Sequence, residues 1–152
     1  MHYITDRVFV GNLNDATQPL AQVGAVLFVA EEFSIEAPSG LVFGRIPMKE
    51  FGEADPKVLA SAVSWVERQV PENRVMVCCR AGMGRSVSVV MAYLCCVEGM
   101  TYADALKLVL ARRPGAMPLP KLEHAIEEVR RVRRAPPATA ENPWPQTASG
   151  QG

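Results

Sequence analysis

The chain has 152 residues, enough for one domain with a full hydrophobic core. Its 16 basic residues balance 16 acidic ones, so no net charge favours nucleic acid or an anionic membrane as a partner. No apolar run approaches the roughly 18 residues of a membrane span, and the N-terminus lacks a signal-peptide core. The cysteines form two adjacent pairs, Cys78-Cys79 and Cys95-Cys96, which is not a disulfide framework. We therefore expect a reduced, cytoplasmic protein.

The first half of the chain alternates short strands with polar connections. Residues 8–10 predict a strand, and residues 14–22 predict a short helix that Gly24 ends. Residues 25–30 are apolar throughout and predict a central strand, because both faces of such a strand are buried. Residues 41–48 predict a further strand after a polar loop.

The second half is mostly helical. Asp55 followed by Pro56 is typical of a helix N-terminus, with the carboxylate as the cap. Thr101 predicts the cap of a later helix, and apolar side chains at helical spacing predict a final helix over residues 122–132. Strands followed by helices predict an α/β fold, a mixed sheet flanked by helices.

The most informative stretch is residues 74–93, which read RVMVCCRAGMGRSVSVVMAY. Residues 74–78 predict a short buried strand, and the apolar run from Ser86 predicts a buried helix. The loop between them, residues 79–86, contains two glycines, begins with a cysteine and has an arginine near its end. The predicted order is therefore strand, tight loop and helix N-terminus.

Such a loop is suited to bind an anion. A helix N-terminus presents unpaired N–H groups and a partial positive charge. Gly82 and Gly84 allow the backbone to curl so that successive N–H groups point inward. Arg85 adds a planar fork for two phosphate oxygens. Cys79 would lie at the bottom, where the positive field favours the thiolate, so the loop predicts a nucleophile beneath a bound phosphate.

A simpler interpretation is a core strand that ends in a turn, with Cys79 buried as a small apolar side chain. The spacing of one cysteine and one arginine arises by chance too often to decide between the two. The preceding strand, the two glycines, the hydroxyl of Ser86 and the apolar helix together favour the anion site.

Cys79-x5-Arg85-Ser86 resembles the signature loop of the cysteine-dependent protein tyrosine phosphatases, in particular their small dual-specificity branch. The similarity extends over about residues 3–134 and is carried outside the loop by residues 3–12, 23–30, 102–106 and 112–114. It implies a phosphatase-type α/β fold with a central mixed, mostly parallel sheet flanked by helices. The chain departs from the family pattern at Cys78, where His is usual, and at Glu50, where Asp is usual.

The family uses an Asp as general acid, on a loop after an Ile-Pro-containing strand, to protonate the leaving oxygen. In this chain Ile46-Pro47 is followed by Glu50, Glu53 and Asp55. Glu50 fits the register from the strand. Asp55 has the family's residue type but already serves as a helix cap, and Glu53 is most simply loop charge. We expect Glu50 to be the acid, with Asp55 as the second choice.

The resemblance implies hydrolysis of a phosphomonoester through a cysteinyl-phosphate formed on Cys79. The Arg85 guanidinium would bind the phosphate, and Ser86 would stabilise the departing thiolate. The phosphate would also bind the backbone amides of Arg80, Ala81, Gly82, Met83, Gly84 and Arg85. Positioning and electrostatics carry such reactions, so we expect no metal and no other cofactor.

Two alternatives stay open. One is a phosphate-binding pseudophosphatase module with little or no turnover, and the other is a sulfur-transferring or arsenate-reducing cysteine enzyme. The predicted partner is a phosphorylated protein or another phosphomonoester, since the family handles phosphotyrosine, phosphoserine, phosphoinositides and nucleotides. No nucleic acid partner is expected, and no oligomeric state is predicted. Residues 1–134 are predicted to form the catalytic domain and residues 135–152, rich in Pro, Ala and Gly, a flexible tail.

Overall fold

A computed structural model describes residues 1–134 of the chain. Its strands are β1 (His2–Tyr3), β2 (Val8–Gly11), β3 (Ala25–Ala30), β4 (Val42–Met48) and β5 (Val75–Cys78). They form one sheet in the order β1-β2-β5-β3-β4. Only the pairing of β1 with β2 is antiparallel. The predicted mixed, mostly parallel sheet is therefore confirmed.

Five helices accompany the sheet within the described residues: α1 (Leu13–Thr17), α2 (Pro56–Gln69), α3 (Arg85–Cys96), α4 (Tyr102–Arg112) and α5 (Leu122–Arg134). Two predicted caps are present. The Asp55 carboxylate accepts from the amide of Lys57 at 2.9 Å, and the Thr101 hydroxyl accepts from the amide of Asp104 at 3.1 Å. These bonds satisfy N–H groups that have no partner inside the helix, and so fix where α2 and α4 begin.

Helix α3 is the centre of the packing. It lies against β2, β3 and β5 and also contacts α2, α4 and α5. Its side chains from Arg85 to Cys95 are all buried, as are all residues of β3 and β5. The apolar run that follows the signature loop thus anchors the start of α3 in the core, next to the end of β5. No helix within residues 1–134 has both the length and the apolar character to cross a membrane.

The helix predicted over residues 14–22 is wrong in its bounds. α1 begins at Leu13, because Asn12 and Asp15 form a reciprocal capping box at 2.8 and 2.9 Å, and it ends at Thr17. Residues 18–24 form the connection to β3 instead. Pro19, which has no N–H group to donate, contributes to that early end. The tail predicted for residues 135–152 lies outside the described residues.

Candidate active site

A tight loop, residues 79–84, joins the end of β5 to the first turn of α3. Strands β2 and β3 flank β5 and run parallel to it, so the loop leaves the sheet at the carboxyl edge of three neighbouring strands. Ligands of parallel sheets usually bind at this edge. A cavity of about 600 Å³ opens above the loop, and its lining includes Cys79, Arg85 and Glu50. The structure therefore brings three of the predicted site residues to one cavity.

Five consecutive carbonyl groups of the loop, from residue 80 to residue 84, each accept a hydrogen bond from outside it. The amide of Leu13 donates to the carbonyl of residue 80 at 3.0 Å, and the guanidinium of Arg113 donates to those of residues 81 and 82 at 3.2 and 3.0 Å. The amide of Met117 donates to the carbonyl of residue 83 at 2.7 Å, and the hydroxyl of Ser88 donates to that of residue 84 at 2.7 Å. Every peptide bond here is trans, so the N–H of each following residue points the opposite way. The amides of residues 81–85 therefore face the inside of the loop.

Gly82 is the glycine that the loop requires. Its φ of +72° lies in the left-handed region, and a Cβ atom there would lie 2.7 Å from the carbonyl oxygen of Gly11. Gly84 has a φ of −116°, which other residues adopt without strain. The prediction that both glycines provide the curl thus applies to Gly82, whereas Gly84 serves as the N-cap of α3.

The sulfur of Cys79 lies at the bottom of the loop, and only 2% of the residue is exposed. The Ser86 hydroxyl oxygen is 3.3 Å from it, and the amides of Ser86 and Gly82 donate to it. Burial by itself would raise the pKa of this thiol, but these hydrogen bonds and the charge of Arg85 outweigh burial and lower the pKa of Cys79. Cys79 therefore ionises more readily than an ordinary cysteine.

The buried guanidinium of Arg85 forms a two-pronged ion pair with Glu32. Nη1 and Nη2 donate to the two carboxylate oxygens at 2.6 and 2.7 Å, and Nη1 also donates to the carbonyl of Met48 at 3.0 Å. These bonds use three of the five N–H groups of a guanidinium. The other two, on Nε and Nη2, share one edge and have no acceptor within residues 1–134. One edge of the fork is thus fixed by Glu32, and another is available to an anion.

Glu32 carries a fixed negative charge. Hydrogen bonds from Arg85 are the main cause that lowers the pKa of its carboxyl from 4.5 to about 2, against the opposing effect of partial burial. Glu32 is therefore ionised throughout the neutral range. The hydrogen bonds to Glu32 also raise the pKa of the Arg85 guanidinium, so both partners of the ion pair are charged at neutral pH.

The three candidate acids occupy two different places. Glu50 lines the same cavity as Cys79, and its Oε2 atom is 3.7 Å from Nη1 of Arg80. Asp55 and Glu53 line a separate cavity of about 290 Å³. Asp55 is the cap of α2, and the Glu53 carboxylate pairs with Lys121 at 3.8 Å.

Two exposed apolar side chains stand at the rim of the larger cavity. Phe51 is 83% exposed and Met117 is 73% exposed, and both contribute to the lining. Residues 115 and 117–120, which connect α4 to α5, supply more of the same wall together with Met83. A phosphate held by the loop would therefore have an apolar surface beside its ester group.

Comparison with known proteins places the chain in a family. Residues 8–132 match the family described as dual specificity phosphatase, catalytic domain. The chain belongs to this family. The Arabidopsis thaliana dual specificity protein phosphatase 1B is 30% identical over 123 residues, which are 77% of this chain and 74% of that protein. Human dual specificity protein phosphatase 15 is 28% identical over 127 residues, 80% of this chain but 43% of the relative.

The fold agrees with solved structures of this kind. The crystal structure of human DUSP28 superposes with a TM-score of 0.77 at 21% identity, over 88% of this chain and 98% of that one. The sequence-based prediction of a protein tyrosine/dual-specificity phosphatase is thus confirmed, and the pseudophosphatase alternative is not favoured.

In this dual specificity phosphatase, Cys78 is a core residue. Its burial in β5 is the main cause that raises the pKa of its thiol well above the ordinary value, so it stays neutral. The sequence predicted no role for Glu32 or Arg113. Glu32 lies just after the carboxyl end of β3, a buried parallel strand, and this position could have marked it as a candidate site residue. Within residues 1–134, no three His, Cys, Asp or Glu side chains are grouped to hold a metal ion.

Proposed function

We propose that this phosphatase hydrolyses phosphomonoesters through a cysteinyl-phosphate formed on Cys79. The observation that carries the proposal is the position of the Cys79 sulfur, which lies beneath five inward-facing amides and has a lowered pKa. A thiolate in that position is aimed at the phosphorus atom of any phosphate that the amides hold.

Binding of the phosphate uses fixed groups. The amides of residues 81–85 and the Nε–Nη2 edge of Arg85 surround the phosphate oxygens. Glu32 binds the other edge, Nη1–Nη2, and so fixes the orientation of the guanidinium. The amide of Arg80 is not among these donors, because the carbonyls that are held from outside begin at residue 80 and each of them orients the amide of the next residue. Since these donors are already oriented in the free protein, they stabilise charge in the transition state without reorganisation.

The reaction then follows in two steps. The Cys79 thiolate attacks phosphorus, the bond from phosphorus to the ester oxygen breaks, and Glu50 gives its proton to that oxygen. A water molecule next attacks the phosphorus while Glu50 takes one of its protons, and the sulfur–phosphorus bond breaks to restore the thiolate. The Ser86 hydroxyl, 3.3 Å from the sulfur, stabilises the departing thiolate. Glu50 is favoured over Asp55 because it shares the cavity with Cys79.

The apolar rim favours an aryl phosphate such as phosphotyrosine as the substrate. Phe51 and Met117 offer apolar contact to a ring beside the phosphate. Within residues 1–134, Arg80 and Arg85 are the only cations that line the cavity, so it has no cluster of cations for a further phosphate. A reduced, cytoplasmic setting fits the mechanism, because the reaction needs Cys79 as a free thiolate and the four cysteines are unpaired.

The test is hydrolysis of p-nitrophenyl phosphate in the presence of a chelator, with Cys79→Ser compared to wild type. We expect kcat to fall on the order of 10³-fold or more, because the hydroxyl of serine does not ionise near neutrality. Cys96→Ser is the matched control and should keep the wild-type rate. Full activity in Cys79→Ser would overturn the mechanism. A wild-type protein that binds orthovanadate without hydrolysing the ester would restore the pseudophosphatase alternative.

A further inference from the structure

Arg113, which follows the last residue of α4, is a buried arginine behind the phosphate loop. Only 4% of the residue is exposed. Its Nε donates to the carbonyl of Gly82 at 3.0 Å, and its Nη2 donates to the carbonyl of Ala81 at 3.2 Å. Its Nη1 contacts Nδ1 of His2. The guanidinium therefore holds two successive peptide units of the loop from the side opposite the cavity.

Among residues 1–134, no carboxylate balances this charge. Within residues 1–134, none lies within 4.0 Å of the Arg113 nitrogens, whereas Arg85, which is equally buried, has Glu32. A buried cation without a partner is costly unless its hydrogen bonds are satisfied. Here the partners are two carbonyls and the ring of His2, which leave the net positive charge in place. A phosphate bound on the other side of the loop would face that charge.

The peptide units that Arg113 holds also carry active-site donors. The carbonyl of Ala81 and the N–H of Gly82 belong to one planar unit, and this N–H donates to the sulfur of Cys79. The carbonyl of Gly82 and the N–H of Met83 form the next unit. A hydrogen bond to a carbonyl strengthens the N–H donor of the same unit. Arg113 is thus connected to the sulfur through the unit that joins Ala81 to Gly82. It is connected to the anion site through that unit and the next one.

We propose that Arg113 is a positioning residue of the reaction, which orients the amides of Gly82 and Met83 toward the thiolate and the phosphate and adds positive charge behind them. The inference rests on the proposed roles of Cys79 and the loop amides. A planar fork is needed, because the two carbonyl oxygens are reached by different nitrogens of one rigid group. Lysine would keep the charge but offers a single nitrogen.

The experiment compares Arg113→Lys and Arg113→Met with matched variants of the neighbouring residue, Arg112→Lys and Arg112→Met. Arg112 is exposed and lies over the ring of Tyr3, 5.6 Å from its centroid, away from the loop carbonyls. Two readouts need no turnover: the dissociation constant of inorganic phosphate, and the pH midpoint of Cys79 alkylation by iodoacetamide. Both are measured well below the thermal midpoint of each variant.

Arg113→Lys should weaken phosphate binding about tenfold and move the alkylation midpoint to higher pH, because one of two charge-assisted hydrogen bonds is lost. Arg113→Met should weaken binding further, because it also removes the charge. The Arg112 variants should stay within about twofold of wild type. A folded Arg113→Lys with unchanged phosphate affinity and an unchanged alkylation midpoint would overturn the proposal, even if its thermal midpoint fell. Because neither readout requires catalysis, failure of the cysteinyl-phosphate mechanism would be seen separately, in the Cys79→Ser assay.

Discussion

The floor and the rim of the proposed active site are built in different ways. On the floor, buried groups hold the loop and its arginine: Arg85 and Arg113 are each 4% exposed, and their hydrogen bonds to Glu32 and to backbone carbonyls measure 2.6 to 3.2 Å. At the rim, Glu50 reaches Arg80 only at 3.7 Å, with both side chains open to solvent, and Phe51 is 83% exposed. Exposed ion pairs of this kind contribute little to stability.

This difference assigns separate tasks to the two regions. A floor that is fixed before the substrate arrives can stabilise the phosphoryl group, which is the same in every substrate. A loosely held rim can adapt to leaving groups of different shape and basicity. Substitutions on the floor should therefore affect all substrates alike, whereas substitutions at the rim should depend on the leaving group.

The largest effect should come from Arg85→Lys. Lysine cannot bind Glu32 and two phosphate oxygens at once, so we expect kcat/KM to fall about 1,000-fold for aryl and alkyl phosphates alike. Arg80→Lys, which keeps an exposed cation at the rim, is the control and should change little. Steady-state kinetics on both substrate classes measure the outcome. A loss confined to one class would remove the distinction between floor and rim.

Glu50→Gln should depend strongly on the leaving group. We expect kcat to fall about 100-fold for an alkyl phosphate, whose leaving oxygen needs a proton, and much less for p-nitrophenyl phosphate. Asp55→Ala should instead cost about 1 kcal/mol of unfolding free energy through loss of the α2 cap, with activity unchanged. If Asp55→Ala rather than Glu50→Gln shows the dependence on the leaving group, our choice of acid is wrong.

Glu32→Gln should lower the stability of the fold at neutral pH but not at low pH. The folded-state pKa of Glu32, about 2, lies below the ordinary value of 4.5, so the ionised carboxylate stabilises the fold above pH 4.5. That contribution is lost as the pH falls from 4.5 toward 2. The difference in thermal midpoint between wild type and Glu32→Gln should therefore shrink over this range. A difference in thermal midpoint that does not vary with pH would show that the charge of Glu32 does not stabilise the fold. Phosphate affinity should also weaken several-fold.

The smallest effect should come from Phe51→Ala. Loss of apolar contact to an aryl group should raise KM for an aryl phosphate by about threefold. The inhibition constant of inorganic phosphate should not change, because phosphate alone does not reach the rim. Leu20→Ala, another exposed apolar residue that does not line the cavity, is the control. If Phe51→Ala weakened the binding of inorganic phosphate as much as that of the aryl phosphate, Phe51 would instead support the floor.

The sequence predicted the phosphate loop of the floor but not the side chains that hold it, for a physical reason. The run from Arg74 to Tyr93 is local: strand, loop and helix follow one another, so chemistry and geometry are encoded together. Glu32 and Arg113 reach Arg85 and Gly82 from 53 and 31 residues away in the chain. No periodicity marks such contacts. The bounds of α1 were wrong because the capping box of Asn12 and Asp15 outweighed the pattern of the residues after it.

The most direct test of the account is a search for the phosphorylated enzyme. Wild-type protein turning over an aryl phosphate is denatured rapidly at alkaline pH, and its peptides are analysed by mass. We expect one added phosphoryl group on the peptide that contains Cys79, absent from Cys79→Ser and absent when substrate is omitted. A phosphoryl group on a residue other than Cys79 would contradict the account. A pre-steady-state burst of aryl alcohol with no phosphoryl group on the protein would contradict it as well.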